Sequence, residues 1–178
     1  GFPADFIAEG LDQTRGWFYT LMVLSTALYD KPAFKNVIVN GIVRAIDGKK
    51  MSKRLKNYPD PVDIINRHGA DCLRLYLLGS PATKSEPLRF KESGVAEITR
   101  SVIIPLYNTY TFYHEHKTKF EKQHHIKITL DSSIDSDHVF DRWIQFKINS
   151  FRKNLFQQID NYQLYNVTHL ITDFIENL

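Results

Sequence analysis

Residues 36–43 read Asn-Val-Ile-Val-Asn-Gly-Ile-Val, a β-branched and nearly continuous run. Such a run predicts a buried strand of a parallel sheet, since half-exposed strands alternate apolar and polar positions. Parallel neighbours cannot be joined by a tight turn and need a crossover element between them. The chain supplies one just upstream. Residues 5–9 form a short apolar run ending in Gly10, which reads as a strand entering a turn. Asp12 or Thr14 can cap a helix in which Trp17, Leu21, Leu24 and Leu28 recur at helical spacing, closed by Asp30-Lys31-Pro32. Strand, helix and strand make a βαβ unit, whose crossover is expected to be right-handed.

Beyond residue 43 the character changes. Residues 44–61 are polar, with Gly48 and two prolines, and predict a loop. Residues 62–68 and 70–79 predict two short helices, followed by a connection over 80–90 and no convincing strand after it. Val95, Ile98, Val102 and Leu106 mark a helix that Pro105 bends. Residues 121–137 mix charge, His and Ser and predict a surface loop or hairpin. Phe140, Ile144, Ile148, Phe151, Leu155 and Ile159 form one stripe and Leu164, Val167, Ile171 and Phe174 another, together a helical hairpin. The expected fold class is α/β over 1–90, then all-α over 91–178.

With 178 residues, 43% of them hydrophobic and 24% charged, the chain is in the globular range. A net charge of +3 permits an anionic partner without requiring one. A single cysteine, Cys72, rules out an intrachain disulfide framework and suits a reducing compartment. No segment resembles a signal peptide or approaches the ~20 apolar residues of a membrane span, so a cytoplasmic location is expected. The start at Gly1 and the stop at Leu178, inside a helical pattern, give the chain the look of an excerpt from something larger.

Lys49, Lys50, Lys53, Arg54 and Lys56 place five cations in eight residues, directly after a strand and Gly48. Taken alone, such a run is more often a solvated face. The functional alternative is a phosphate clamp, in which mobile lysines offset charge that develops during displacement at phosphorus. It is not a Walker loop, because GxxxxGK[ST] is absent. Lys50-Met51-Ser52-Lys53-Arg54 resembles the KMSKS loop of class I aminoacyl-tRNA synthetases, with Arg in the last place. The neighbours strengthen the likeness: Asn57-Tyr58-Pro59-Asp60-Pro61 and His68-Gly69-Ala70-Asp71-Cys72-Leu73-Arg74 are similar to family sequence in the same places. Glu9-Gly10-Leu11-Asp12-Gln13-Thr14-Arg15-Gly16-Trp17-Phe18 is similar to the EGxDQxRGWF stretch of the isoleucyl branch. Ser80-Pro81, residues 88–92 and Pro105-Leu106-Tyr107-Asn108 look like its eukaryotic cytosolic form.

The resemblance implies the second half of a Rossmann-like, doubly wound parallel sheet over 1–90, then the start of an antiparallel helical, anticodon-binding region over 91–178. It implies ATP-dependent activation of L-isoleucine to isoleucyl-adenylate and transfer to tRNA(Ile), with ATP entering as a Mg²⁺-bound substrate and no tightly held metal. A larger multi-synthetase assembly is a further expected partner. Lys50, Ser52 and Lys53 are the implied catalytic residues, with Lys50, Met51 and Lys53 at ATP. Glu9, Gly10, Asp12, Gln13 and Trp17 are implied to contact the adenylate, Trp17 as a wall of the isoleucine pocket. A HIGH sequence and an editing domain, which the family carries, are missing from this stretch, so the fragment alone is expected to be inactive. Editing matters in this branch, itself the standard illustration that one methylene separates valine from isoleucine by only on the order of 100-fold.

Other candidates carry less. His114, His116, His124 and His125 lack zinc-site spacing. Cys72 lies on an apolar helix face, as an inert core thiol does, and Asp71 can pair with Arg74. Arg142, Lys147, Arg152 and Lys153 read equally as a solvated face and as contacts to tRNA phosphates.

Overall fold

The structure, a computed structural model, describes residues 1–52, 54–129 and 136–178. The chain divides into two units, Gly1–Ala96 and Glu97–Leu178. In the first, β1 (Ala4–Gly10) and β2 (Phe34–Asn40) pair in parallel, in register from Ala4 opposite Phe34 to Gly10 opposite Asn40. A turn of 3₁₀ helix (Leu11–Arg15) and α1 (Trp17–Tyr29) connect them, completing the expected βαβ unit. Ile7, Phe18 and Phe34 form its core, with Leu21, Ala33 and Val39 packed around them. The Phe18 and Phe34 rings meet edge to face at 6.2 Å.

The face α1 turns to the sheet is only partly the one its spacing suggests: of that stripe, Leu21 packs on the core. Phe18 and Ser25 are buried, whereas Trp17, Leu24 and Leu28 are 49%, 53% and 70% exposed. The helix is apolar on nearly every side, so periodicity leaves its orientation open and contact with Phe34 and Ile7 decides it. Ser25 tolerates burial because its hydroxyl donates to the Lys31 carbonyl at 2.7 Å. At the far end of the pair, Lys35 bonds Asp5 at 2.9 Å and holds that carboxyl below its usual range.

The run over 36–43 is also not one strand. β2 stops at Asn40, and β3 (Val43–Arg44) pairs in parallel with β4 (Leu88–Arg89) in a separate two-stranded sheet. The break lies at Gly41. Its N–H donates to the Ala82 carbonyl at 2.7 Å, and the Glu86 backbone occupies the space a side chain would need. Burial on both faces of β2 is not seen either: Phe34 is buried but Val37 is 46% exposed. β4 escaped the sequence because two residues are too few to show alternation.

α2 (Pro61–His68) begins where Asp60 accepts the Val62 N–H at 2.8 Å, with Pro61 in the first turn, where its missing N–H costs nothing. α3 (Ala70–Leu78) follows across Gly69. Ile64 and Cys72 are 1% and 2% exposed, which places the Cys72 thiol in the core as expected. Asp71 meets Arg74 at 3.3 Å. α4 (Glu92–Ile98) is anchored by Val95, fully buried, and by Glu92, which accepts from Arg67 at 2.6 Å and lies 3.0 Å from His68.

In the second unit a π-helical turn (Thr99–Ile103) leads into α5 (Ile104–His124). Pro105 has no N–H to return to the preceding turn, and the wider π register relieves that conflict rather than a simple bend. α5 runs four residues into the predicted loop, closing at His125, whose φ is 54°. Residues 130–135, the middle of that predicted loop, lie outside the described residues. α6 (Val139–Asp160) and α7 (Leu164–Glu176) form the expected hairpin, with Phe151 stacked on Phe174 at 4.4 Å. α7 also packs on the π turn and α5, burying Val102, Thr168 and Ile175. The α6 stripe is buried less than its periodicity implies: Phe140, Ile148 and Ile159 are 70%, 45% and 43% exposed.

Gly41 should therefore tolerate no side chain. Gly41→Ala is expected to open the β3–β4 pairing and raise amide exchange at Leu88 and Phe90 by about an order of magnitude. Hydrogen-exchange mass spectrometry of residues 84–91 reads this directly.

Candidate functional site

Parallel pairing brings the carboxyl ends of β1 and β2 to one edge of the sheet, Gly10 opposite Asn40. Open α/β sheets bind ligands outside that edge. Two segments leave it. One is the 3₁₀ turn with the start of α1; the other runs through β3 into the basic loop.

In the first segment Glu9 and Asp12 are exposed and Gly10 and Gln13 half-buried. Gln13 acts at both ends of its amide: Oε1 accepts the Trp17 N–H at 2.8 Å and Nε2 donates to Asp12 Oδ2 at 3.2 Å. It thus occupies an orphan donor of α1's first turn, a capping duty from one turn back. Thr14 folds its hydroxyl onto the Leu11 carbonyl at 2.8 Å. These bonds leave the Glu9 and Asp12 carboxylates at the surface and the Trp17 ring half exposed. Carboxylates placed this way can accept from ribose hydroxyls or an ammonium group, and an exposed indole can cover an alkyl group.

The second segment is built on β3. Arg44 pairs in parallel with Arg89 on one side and bridges antiparallel to Lys50 on the other. A tight turn joins Arg44 to Lys50: Ala45 N–H donates to the Lys49 carbonyl at 3.0 Å and Gly48 N–H to the Ala45 carbonyl at 2.8 Å. Gly48 has φ 81°, a left-handed conformation that favours glycine. Lys49 pairs only loosely with Asp47, at 3.6 Å and exposed, which contributes little. Lys50 is exposed, while Met51 lines an apolar cavity of about 170 Å³ with Tyr58, Pro59, Ile64 and Phe90. The loop is thus an apolar anchor with a cation beside it. Ser52 is half-buried and donates its backbone N–H to Asn57 Oδ1 at 2.9 Å. Lys53, the strongest phosphate candidate of the sequence, lies outside the described residues.

Asn57 is a residue whose part the sequence did not disclose. Besides accepting from Ser52, it donates Nδ2 to the Lys50 carbonyl at 3.1 Å. Side-chain-to-backbone bonds across five and seven residues leave no periodic trace in a sequence.

In the second unit Arg142, Arg152 and Lys153 are exposed, with Arg152 over Phe156 at 6.0 Å and Lys147 over Trp143 at 5.7 Å. The histidines of α5 lie against aromatic rings one turn away, His116 on Phe112 and His124 on Phe120, each at 4.3 Å.

Comparison with known proteins gives this geometry a family. Residues 1–89 match the tRNA synthetases class I (I, L, M and V). The chain belongs to that family. It is 50% identical over 177 residues to the cytoplasmic isoleucine--tRNA ligase of Caenorhabditis elegans, covering 99% of this chain and 16% of that protein. It is 49% identical over 179 residues to the cytoplasmic isoleucine--tRNA ligase of Mus musculus, covering 99% of this chain and 14% of that protein. The chain thus spans about a sixth of the length of these curated relatives. Among solved structures, the LeuRS of Agrobacterium radiobacter K84, in ternary complex with tRNA and LeuAMS, superposes with a TM-score of 0.73 at 19% identity. That match covers 98% of this chain and 23% of the other, and it shows the fold: mostly helical with small parallel sheets, as part of a class I synthetase.

Gln13→Ala removes the acceptor for the Trp17 N–H. It is expected to cost about 1 kcal/mol of α1 stability, as loss of a cap does. Faster amide exchange confined to residues 17–20 is the signature to look for.

Proposed function

We propose that this chain forms part of an isoleucine--tRNA ligase acting in the cytoplasm. It supplies the second half of the Rossmann-like activating domain over 1–90 and the start of the anticodon-binding helical region over 91–178. One observation carries this: the two segments that match the family's motifs leave the same edge of one parallel sheet, fixed by the Gly10–Asn40 register. The full-length protein takes ATP with Mg²⁺ and L-isoleucine to isoleucyl-adenylate and pyrophosphate. It then passes the acyl group to a terminal ribose hydroxyl of tRNA(Ile). The relatives named as cytoplasmic isoleucine--tRNA ligases support both the substrate and the location.

The residues divide by chemistry. Glu9, Asp12 and Gln13 hold the polar parts of the adenylate, and Gly10 admits it closely. Trp17 covers the isoleucine side chain, a rigid ring against a branched alkyl group. Lys50 and Lys53 neutralise charge on the phosphates, Ser52 adds a hydrogen bond and Met51 secures the loop in its apolar cavity. No side chain serves as a covalent nucleophile. Positioning of the carboxylate against the α-phosphate, and stabilisation of the charge that develops there, carry the rate. Arg142, Lys147, Arg152 and Lys153 contribute to tRNA backbone contact, and a multi-synthetase assembly is a further partner of the full-length protein.

In that protein, Lys53→Ala is expected to lower isoleucine-dependent pyrophosphate exchange at least about tenfold, the loss of roughly one transition-state ion contact. An unchanged rate removes Lys53 from the phosphate site. Trp17→Ala is expected to raise the KM for isoleucine in the same assay. Equal affinity would leave the ring with a packing role alone. Exchange driven better by valine or leucine than by isoleucine would transfer the chain to another branch of the family.

A further inference from the structure

The basic loop is held at its stem by a side chain as well as by the Arg44–Lys50 bridge. After the Arg44–Lys50 bridge, the chain from Met51 onward leaves β3, and the next regular element, α2, begins only at Pro61. Among the described residues of this stretch, Asn57 bonds backbone groups on both sides of Met51. Its Oδ1 accepts the Ser52 N–H at 2.9 Å and its Nδ2 donates to the Lys50 carbonyl at 3.1 Å. One planar amide thus spans a donor and an acceptor two residues apart, as a neighbouring strand would. Lys56 immediately before it has φ 46°, a left-handed turn that returns the chain towards Lys50. Asn57 is half-buried, and the two residues after it, Tyr58 and Pro59, line the cavity that Met51 also lines.

We infer that Asn57 is a positioning residue for ATP activation: its amide clasps the backbone of Lys50 and Ser52 and so sets where the Lys50 cation stands. The inference rests on the function proposed above, since it gives Lys50 a phosphate to meet. The chemistry is specific to asparagine. Aspartate keeps the acceptor for Ser52 but turns an oxygen towards the Lys50 carbonyl, and alanine loses both bonds. A lysine side chain is long and rotatable, so its reach is decided by how firmly its backbone is held. With the clasp open, Met51 still anchors the loop by apolar contact, which is non-directional and leaves the orientation of Lys50 free.

The test uses the full-length protein carrying Asn57→Ala or Asn57→Asp, with two readouts. Trypsin cleaves after Lys and Arg, so native-state nicking within residues 49–56 reports the clasp whether or not the enzyme is active. Nicking is expected to rise about tenfold in the alanine variant, the scale of one or two net hydrogen bonds. Isoleucine-dependent pyrophosphate exchange should show kcat lowered about tenfold with the isoleucine KM within about twofold, because a positioning defect at the phosphates spares the amino-acid pocket. Nicking at the wild-type rate in both variants overturns the clasp. Faster nicking with unchanged exchange overturns its part in activation. If the alanine variant is digested throughout, the aspartate variant, which keeps size and polarity, carries the test; general digestion of both would make Asn57 a folding residue and also overturn the inference. A wild-type protein with no isoleucine-dependent exchange would instead defeat the proposed function, and nicking would still decide the clasp.

Discussion

Everything in the first unit hangs on the parallel pairing of β1 with β2. A parallel pair cannot be closed by a hairpin, so the intervening residues must leave the sheet, cross it as α1 and return. The same constraint puts both strand ends at one edge, Gly10 beside Asn40. The residues that directly follow each strand thereby start from the same edge of the sheet. After β1 they lead into the Asp12–Gln13 turn and Trp17; after β2, into β3 and the basic loop.

Each segment is then fixed by a side-chain amide acting on backbone groups. Gln13 holds the start of α1 through the Trp17 N–H, and Asn57 holds the basic loop through Lys50 and Ser52. In both cases the charged groups themselves, Glu9 and Asp12 in one segment and Lys50 in the other, stay exposed. A hydrogen-bonded backbone carrying exposed charged side chains keeps those charges in water, where they cost no desolvation.

The helical half follows a different physics. A single amphipathic face per helix suffices to build the α6–α7 hairpin, and Phe151 against Phe174 is where the two stripes meet. The stripe on α6 overstates burial because periodicity tells which residues share a face, not whether a neighbour covers it. At Pro105 local chemistry and helix continuity conflict, and the π turn before it is the compromise.

Several features followed from the residues themselves. The βαβ unit came from the β-branched run and the helical spacing before it, the helix of α2 from residues 62–68, though its start at Asp60-Pro61 was read as loop, and the α6–α7 hairpin from its two stripes. The family followed from Glu9 to Phe18 and Lys50 to Arg54, where side-chain identity is the chemistry. Tertiary structure alone decided which face of α1 is buried, because a helix apolar all round has no preferred side. It decided where the 36–43 run breaks, because a carbonyl from residue 86 arrives at Gly41 from 45 residues away. And it decided what holds Lys50 in place. Propensity and periodicity are local and one-dimensional, whereas a close backbone approach or an amide reaching back across a loop exists only once the chain has folded onto itself.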